Sequence, residues 1–226
     1  LFGALEFSNA CSEAGLQPII GCQLGMAPFR PEGAGVQNLR AQNVGAEANL
    51  TDPDQIVVFA QNAAGYVNLL QLVSQYHLEP DETGVNRLTL DQLKQYGEGL
   101  IAFTGGPRGG VGRLLGEGQT SRAEQLLVSL KDIFPNRLYV ELMRHGLDIE
   151  RQIEPDLLGL AYDHALPLIA TNECFFVSPD MYEAHDALIC IAEGAYVTQT
   201  GRRRLTPEHR FKSPQEMRAL FADLPE

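Results

Sequence analysis

Histidine, cysteine and carboxylate side chains are the groups with which a chain holds metals, attacks esters or moves protons, and here their spacing is sparse. Cys11, Cys22, Cys174 and Cys190 lie far apart with no C-x-x-C pair, so they specify neither a zinc knuckle nor a redox dithiol and read as buried free thiols. Neither these cysteines nor the five histidines carry a signature that nominates a Ser/His/Asp or Cys/His triad. His145, in Arg144-His145-Gly146, has two readings: a ligand or general base, and a hydrogen-bonded structural residue, the commoner fate of a lone histidine at a strand end. The glycine cluster from Gly105 to Gly112 stands where a phosphate-cradling loop would sit. It lacks G-x-x-x-x-G-K-[ST] and G-x-G-x-x-G, and Pro107 removes one amide, so it reads as a tight structural turn. Arg202-Arg203-Arg204 is the one basic run, read as a solvated loop or partner contact rather than a DNA site.

The elements that would position such residues alternate in kind. An apolar stripe over residues 1–14 at helical spacing, closed by Gly15, predicts a helix. Short apolar runs at 18–24, 55–60, 100–104, 138–142 and 168–171 predict strands, and helices are expected at 66–76, 90–96, 122–133 and 150–164. Ser121 with Glu124, and Ser213-Pro214 with Glu216, have the form of capping boxes, and Ser178-Pro179 marks another helix start. Five strands alternating with helices predict an α/β fold with a parallel sheet, open or closed into a barrel. Residues 30–53, rich in Gly, Asn and Gln, read as an irregular insertion. Ligands gather at the carboxyl edge of such sheets. The residues at or just past the ends of the expected strands are Gln23, Gln61, Asn62, Thr104, Arg144, His145, Asn172, Glu173 and Cys174. Only His145 and Glu173 among them suit a metal, with His185 and Asp186 further on, too few for a metal site of their own.

The 226 residues, 44% hydrophobic and 20% charged, suit one sizeable globular domain. A net charge of −12 excludes a domain that grips nucleic acid by itself. No apolar run approaches the roughly 20 residues needed to cross a bilayer, and no secretory signal opens the chain, which reads as cytoplasmic. The first residue is Leu1, already inside a helical pattern, so a piece of a longer protein is expected.

Several strings together resemble one family. They are LFGALEF (1–7), GLQPIIGC (15–22), AQN (60–62) with GYVNL (65–69), and EGLI (98–101) with TGG (104–106). YVEL (139–142) with RHG (144–146), LPLIATNE (166–173), AHDALICI (184–191), FKS (211–213) and LFADLPE (220–226) continue in the same order. This is similar to the polymerase-and-histidinol-phosphatase (PHP) domain of bacterial DNA polymerase III alpha subunits, over the whole chain outside 30–53. The resemblance implies a single PHP domain at 1–226, a distorted (β/α)7 barrel whose first strand-helix units precede Leu1, ending at the boundary to the next polymerase domain.

It further implies that the parent is a cytoplasmic DNA-directed DNA polymerase whose carboxylates and Mg2+ lie in an absent palm domain. In competent PHP domains a His, Asp, Glu and Cys cluster holds up to three metals for phosphoester hydrolysis. At the matching positions this chain has Gln23 for an acidic ligand, Gln55 for a histidine, Glu173 for an aspartate and Phe175 for a histidine. His145 alone keeps a ligand type. The resemblance therefore implies a vestigial cleft with no catalytic residue, metal or cofactor. The expected partners are the palm and thumb of the same chain and the proofreading epsilon subunit, with DNA met only through the rest of the holoenzyme and no membrane contact. The competing expectation is an active metal-dependent PHP phosphoesterase or 3'-5' exonuclease. A free-standing sugar-phosphate enzyme finds no catalytic constellation.

Overall fold

Helix α1 (Ala4–Glu13) ends in a Schellman turn. Gly15 takes φ 71°, its amide donates to Ser12 O at 3.1 Å, and the Leu16 amide donates to Cys11 O at 2.8 Å. The helix is where its spacing predicts it, but its described residues contribute nothing to the core, and Leu5 is 75% exposed. The computed structural model describes residues 3–29, 53–82 and 84–225. All of the expected 30–53 insertion except Pro53 lies outside them.

Strands β1 (Gly21–Met26), β2 (Asp54–Ala60), β3 (Leu100–Phe103), β4 (Leu138–Met143) and β5 (Leu168–Thr171) form one sheet in sequence order. All five expected strands are present, but the parallel sheet is half right. β2 runs antiparallel to both β1 and β3, while β3 pairs parallel with β4 and β4 parallel with β5. A short apolar strand buried on both faces has the same periodicity in either direction, so the sequence pattern could not encode this reversal. Among the described residues β1 and β5 do not pair, and the sheet is open.

Helices α2 (Ala63–Leu78) and α3 (Leu90–Tyr96) join β2 to β3, and each start has a chemical cause. The Asn62 side chain accepts the Gly65 amide at 2.9 Å, and Thr89 with Gln92 closes a capping box. After β3 come a 3-10 turn at Gly106–Arg108 and α4 (Gly110–Gly116), a helix not expected in so glycine-rich a stretch. Val111, Leu114 and Leu115 are buried there, so tertiary packing overrides poor propensity. Helix α5 (Thr120–Ile133) starts one residue before the expected cap. Its N-cap is Gln119, Ser121 falls inside the helix, and no side chain caps it, so the Ser121/Glu124 box does not form.

Helix α6 (Asp148–Asp163) buries Ile153, Leu157, Leu160 and Ala161 on the predicted face. Before α7 (Tyr182–Glu193) Ser178 opens a 3-10 turn, and its hydroxyl meets the Asp180 carboxylate rather than a backbone amide. Helix α8 (Pro214–Leu220) has the full Ser213/Glu216 capping box. The core is one cluster between sheet and helices, from Leu24, Ile56, Val58, Leu100 and Val140 to Leu69, Leu114, Leu127 and Phe134. Each such side chain contributes about 1.5 to 3 kcal/mol by leaving water. Of the four cysteines only Cys190 is buried. Cys174 is exposed and Cys11 and Cys22 lie between, which corrects the uniform expectation, since a thiol carries no directional burial signal.

Candidate functional site

Because β2 alone is reversed, the carboxyl ends of β1, β3, β4 and β5 share one edge with the start of β2. Gln55 therefore belongs to this edge, and Met26 faces Asp54 in register. Gln61 and Asn62 follow the far end of β2, where Ala60 pairs with Leu100, and do not join the site expected from them. Asn62 is instead the cap of α2.

His145 sits just past β4 and is 1% exposed. Its Nδ1 is 2.7 Å from Glu150 Oε1, and its Nε2 accepts the Glu173 amide at 3.1 Å. A ring nitrogen that accepts from an amide carries no proton. These partners assign the neutral tautomer with Nδ1–H donating to Glu150, and neither nitrogen remains free to ligate. Glu150, in the first turn of α6, also accepts the His145 amide at 2.7 Å and the Leu147 amide at 3.0 Å through Oε2. Burial pushes the Glu150 carboxyl up, but the hydrogen bonds from the His145 ring and the two amides outweigh it and hold the group below its ordinary range. His209 stacks on the His145 ring, with centroids 4.0 Å apart and an interplanar angle of 14°. Burial lowers His209 to about 4, so it is neutral at pH 7.

Glu141, in the middle of β4, is a buried carboxylate. Its Oε2 accepts the Gly105 amide at 3.0 Å and its Oε1 accepts the Thr171 hydroxyl at 2.6 Å, while its own amide donates to Thr104 Oγ1 at 3.0 Å. Burial raises its carboxyl above the usual range, and nearby Glu173 pushes the same way. Glu173, past β5, is ion-paired with Arg108 from the glycine turn. That turn is as tight as its composition implies. A Cβ on Gly109 would lie 1.8 Å from Thr104 O, and Gly105 holds φ 83° with only 2.3 Å between an added Cβ and Gln55 O.

Gln23 donates its side-chain amide to Gln55 Oε1. Phe175 is 37% exposed and its ring lies 5.6 Å from His185 and 6.0 Å from His209. Asn172 donates to Arg210 O at 2.7 Å and accepts Lys212 Nζ at 2.8 Å. Asp186 is buried against Arg202, at 2.7 and 2.5 Å, so the first member of the arginine run is a structural ion pair and only Arg203 and Arg204 are exposed.

These donors do not fit a two- or three-metal centre. Two neutral amides bind each other, Phe175 has no lone pair, His145 has both nitrogens engaged, and Glu173 has a guanidinium partner. Among the described residues no three His, Cys, Asp or Glu side chains are placed to hold a metal ion. Sequence reasoning found His145 and Glu173 but missed Glu141, Glu150 and His209. A carboxylate inside the apolar run LYVELM was the available signal for Glu141, and an acidic residue in the first turn of a helix five positions after His145 was the signal for Glu150.

A family profile described as PHP domain matches residues 1–145. The chain is 43% identical over 226 residues to a DNA polymerase III subunit alpha of Caulobacter vibrioides (strain NA1000 / CB15N), covering 100% of this chain and 19% of that relative. It is 35% identical over 225 residues to the protein of that name from Rickettsia bellii (strain RML369-C), covering 100% of this chain and 18% of the relative. It is 32% identical over 230 residues to that from Mycobacterium tuberculosis (strain ATCC 25618 / H37Rv), covering 99% and 19%. The chain spans about a fifth of the length of these relatives.

Proposed function

The chain belongs to the PHP domain family, and from that premise we propose that it is a catalytically silent PHP module of a replicative DNA polymerase alpha subunit. In this reading the five strands are part of a distorted (β/α)7 barrel. The parent polypeptide performs template-directed DNA synthesis in the cytoplasm, with Mg2+ and its carboxylates in a palm domain outside these residues. The module supports palm and thumb and docks the proofreading epsilon subunit, and it meets DNA only through the rest of the assembly. The names of the relatives support the parent activity. A charge of −12 suits protein contacts better than a phosphate backbone. None of the described helices is long and apolar enough to cross a membrane.

The observation that carries the silent reading is the mutual satisfaction of the strand-end donors, above all His145 held between Glu150 and the Glu173 amide. Turning His145 to a metal would strand the buried Glu150 carboxylate and the part-buried Glu173 amide. Isothermal titration of the intact protein with zinc and manganese, beside an exonuclease assay on a 3'-labelled strand, tests it. No stoichiometric binding and no metal-dependent cleavage are expected. Sub-micromolar binding with metal-dependent exonuclease activity would establish the competing phosphoesterase instead. Co-purification of the epsilon subunit with the intact protein, lost when this domain is removed, tests the docking role.

A further inference from the structure

We infer that Arg108 is the fixed counter-charge of the strand-end cleft, and that the glycine turn is shaped to deliver its guanidinium to Glu173. The inference rests on the metal-free reading above and extends it to a residue that no motif marks. Two carboxylates stand near each other at the ends of adjacent parallel strands. Glu141 is buried within β4, and Glu173 lies just past β5 with its side chain 23% exposed. Burial first, and Glu173 after it, push the Glu141 carboxyl up, and a cation beside Glu173 offsets the second of these.

The other basic side chains along this edge are committed elsewhere. Arg144 bridges Glu154 at 2.6 Å and Asp223 at 2.5 Å, Arg210 pairs with Glu216 at 2.7 Å, and Lys212 is held by Asn172 and by Glu208 at 3.3 Å. Arg108 is the cation that reaches Glu173, from a position 65 residues earlier in the chain. Its placement is not accidental to the backbone. Gly105 and Gly109 let the turn lie against the Gln55 and Thr104 carbonyls, and the Gly105 amide is itself a donor to Glu141. One short turn thus serves both carboxylates, one through an amide and the other through a guanidinium.

The test uses hydrogen exchange of the intact protein, read on peptides covering 105–112 and 171–176, for Arg108→Met, Arg108→Lys and Glu173→Gln. For a partly exposed pair the expected effect is about a two- to fivefold faster exchange in Arg108→Met. Arg108→Lys, which keeps the charge, stays within about twofold of the parent, and Arg108→Met adds nothing further in a Glu173→Gln background. The inference is overturned if lysine is as damaging as methionine, which would make Arg108 a packing residue, or if methionine costs the same with Glu173 neutralised. Protection of the parent cleft by manganese, with Arg108 in place, would overturn instead the metal-free reading on which the inference rests.

Discussion

Replacing Glu150 by alanine is the sharpest probe of the cleft. Its carboxylate is 4% exposed and accepts three hydrogen bonds, from the His145 ring at 2.7 Å, the His145 amide at 2.7 Å and the Leu147 amide at 3.0 Å. Alanine leaves all three donors unpaired. The two at His145 are buried and cost roughly 1 to 3 kcal/mol each, while the Leu147 amide is half-buried and water recovers part of its loss. The sum is about 3 to 5 kcal/mol, a large share of a typical domain's stability and about 10 °C of melting temperature at this chain length. Glu150→Gln should be milder. Its carbonyl can still take both backbone amides, but its NH2 then faces Nδ1–H, and the ring cannot flip tautomer because Nε2 is accepting the Glu173 amide. About 1 to 2 kcal/mol is expected for glutamine. Urea unfolding measures both, with an unchanged m-value showing that the transition keeps its size. A Glu150→Ala loss under about 1 kcal/mol, or equal losses for the two variants, would refute the account of His145 as a fully satisfied structural residue.

Four further outcomes follow from the geometry. Arg113 holds buried Asp54 through two bonds of 2.5 and 3.0 Å, so Arg113→Leu should lower stability by about 2 to 3 kcal/mol in thermal melts, below the usual loss for a buried pair because Arg113 is partly wet. Gly109→Ala drives a Cβ to 1.8 Å from a backbone oxygen and should cost about 3 kcal/mol, while Gly159→Ala, inside α6 with nothing within 4 Å, should stabilise by about 0.5 to 1 kcal/mol. Glu216 is lowered to about 2, first by the Arg210 guanidinium and then by the Ser213 amide and hydroxyl. A carboxyl depressed in the folded state stabilises fully above its ordinary value of 4.5 and loses that contribution as pH falls toward 2. A Glu216→Gln variant should therefore show a flatter stability profile across that window, in acid titration followed by circular dichroism.

Strands β2 and β5 were legible because Val57-Val58-Phe59 and Leu168-Ile169 are apolar runs of strand length between turn residues, whereas the Ile19-Ile20 run that pointed to β1 lies just before its start at Gly21, with Ile19 exposed. Their directions were not, since direction depends on which ends the connecting segments return to. Helix starts were legible where the cap sits in the chain, as at Ser213, and illegible where tertiary contacts set the boundary, as at Gln119. At the site, strand-end position pointed to Gln23, His145 and Glu173 and the family resemblance added Gln55 and Phe175, but neither names a residue's partner. That Arg108 meets Glu173 and Glu150 meets His145 depends on the turn after β3 and the entry angle of α6, which only the folded chain defines.

The single reversed strand also has an evolutionary corollary. Met26 at the end of β1 and Asp54 at the start of β2 are register partners, so the segment between them departs from and returns to the same rim, the one that carries the cleft. The pairing of Met26 with Asp54 fixes where the two strand ends meet, and closing any connection between such ends costs only about 0.6 kcal/mol more per doubling of its length. The rim beside Gln23 and Gln55 is therefore where lineages can graft or trim sequence at small thermodynamic cost and alter what the domain meets.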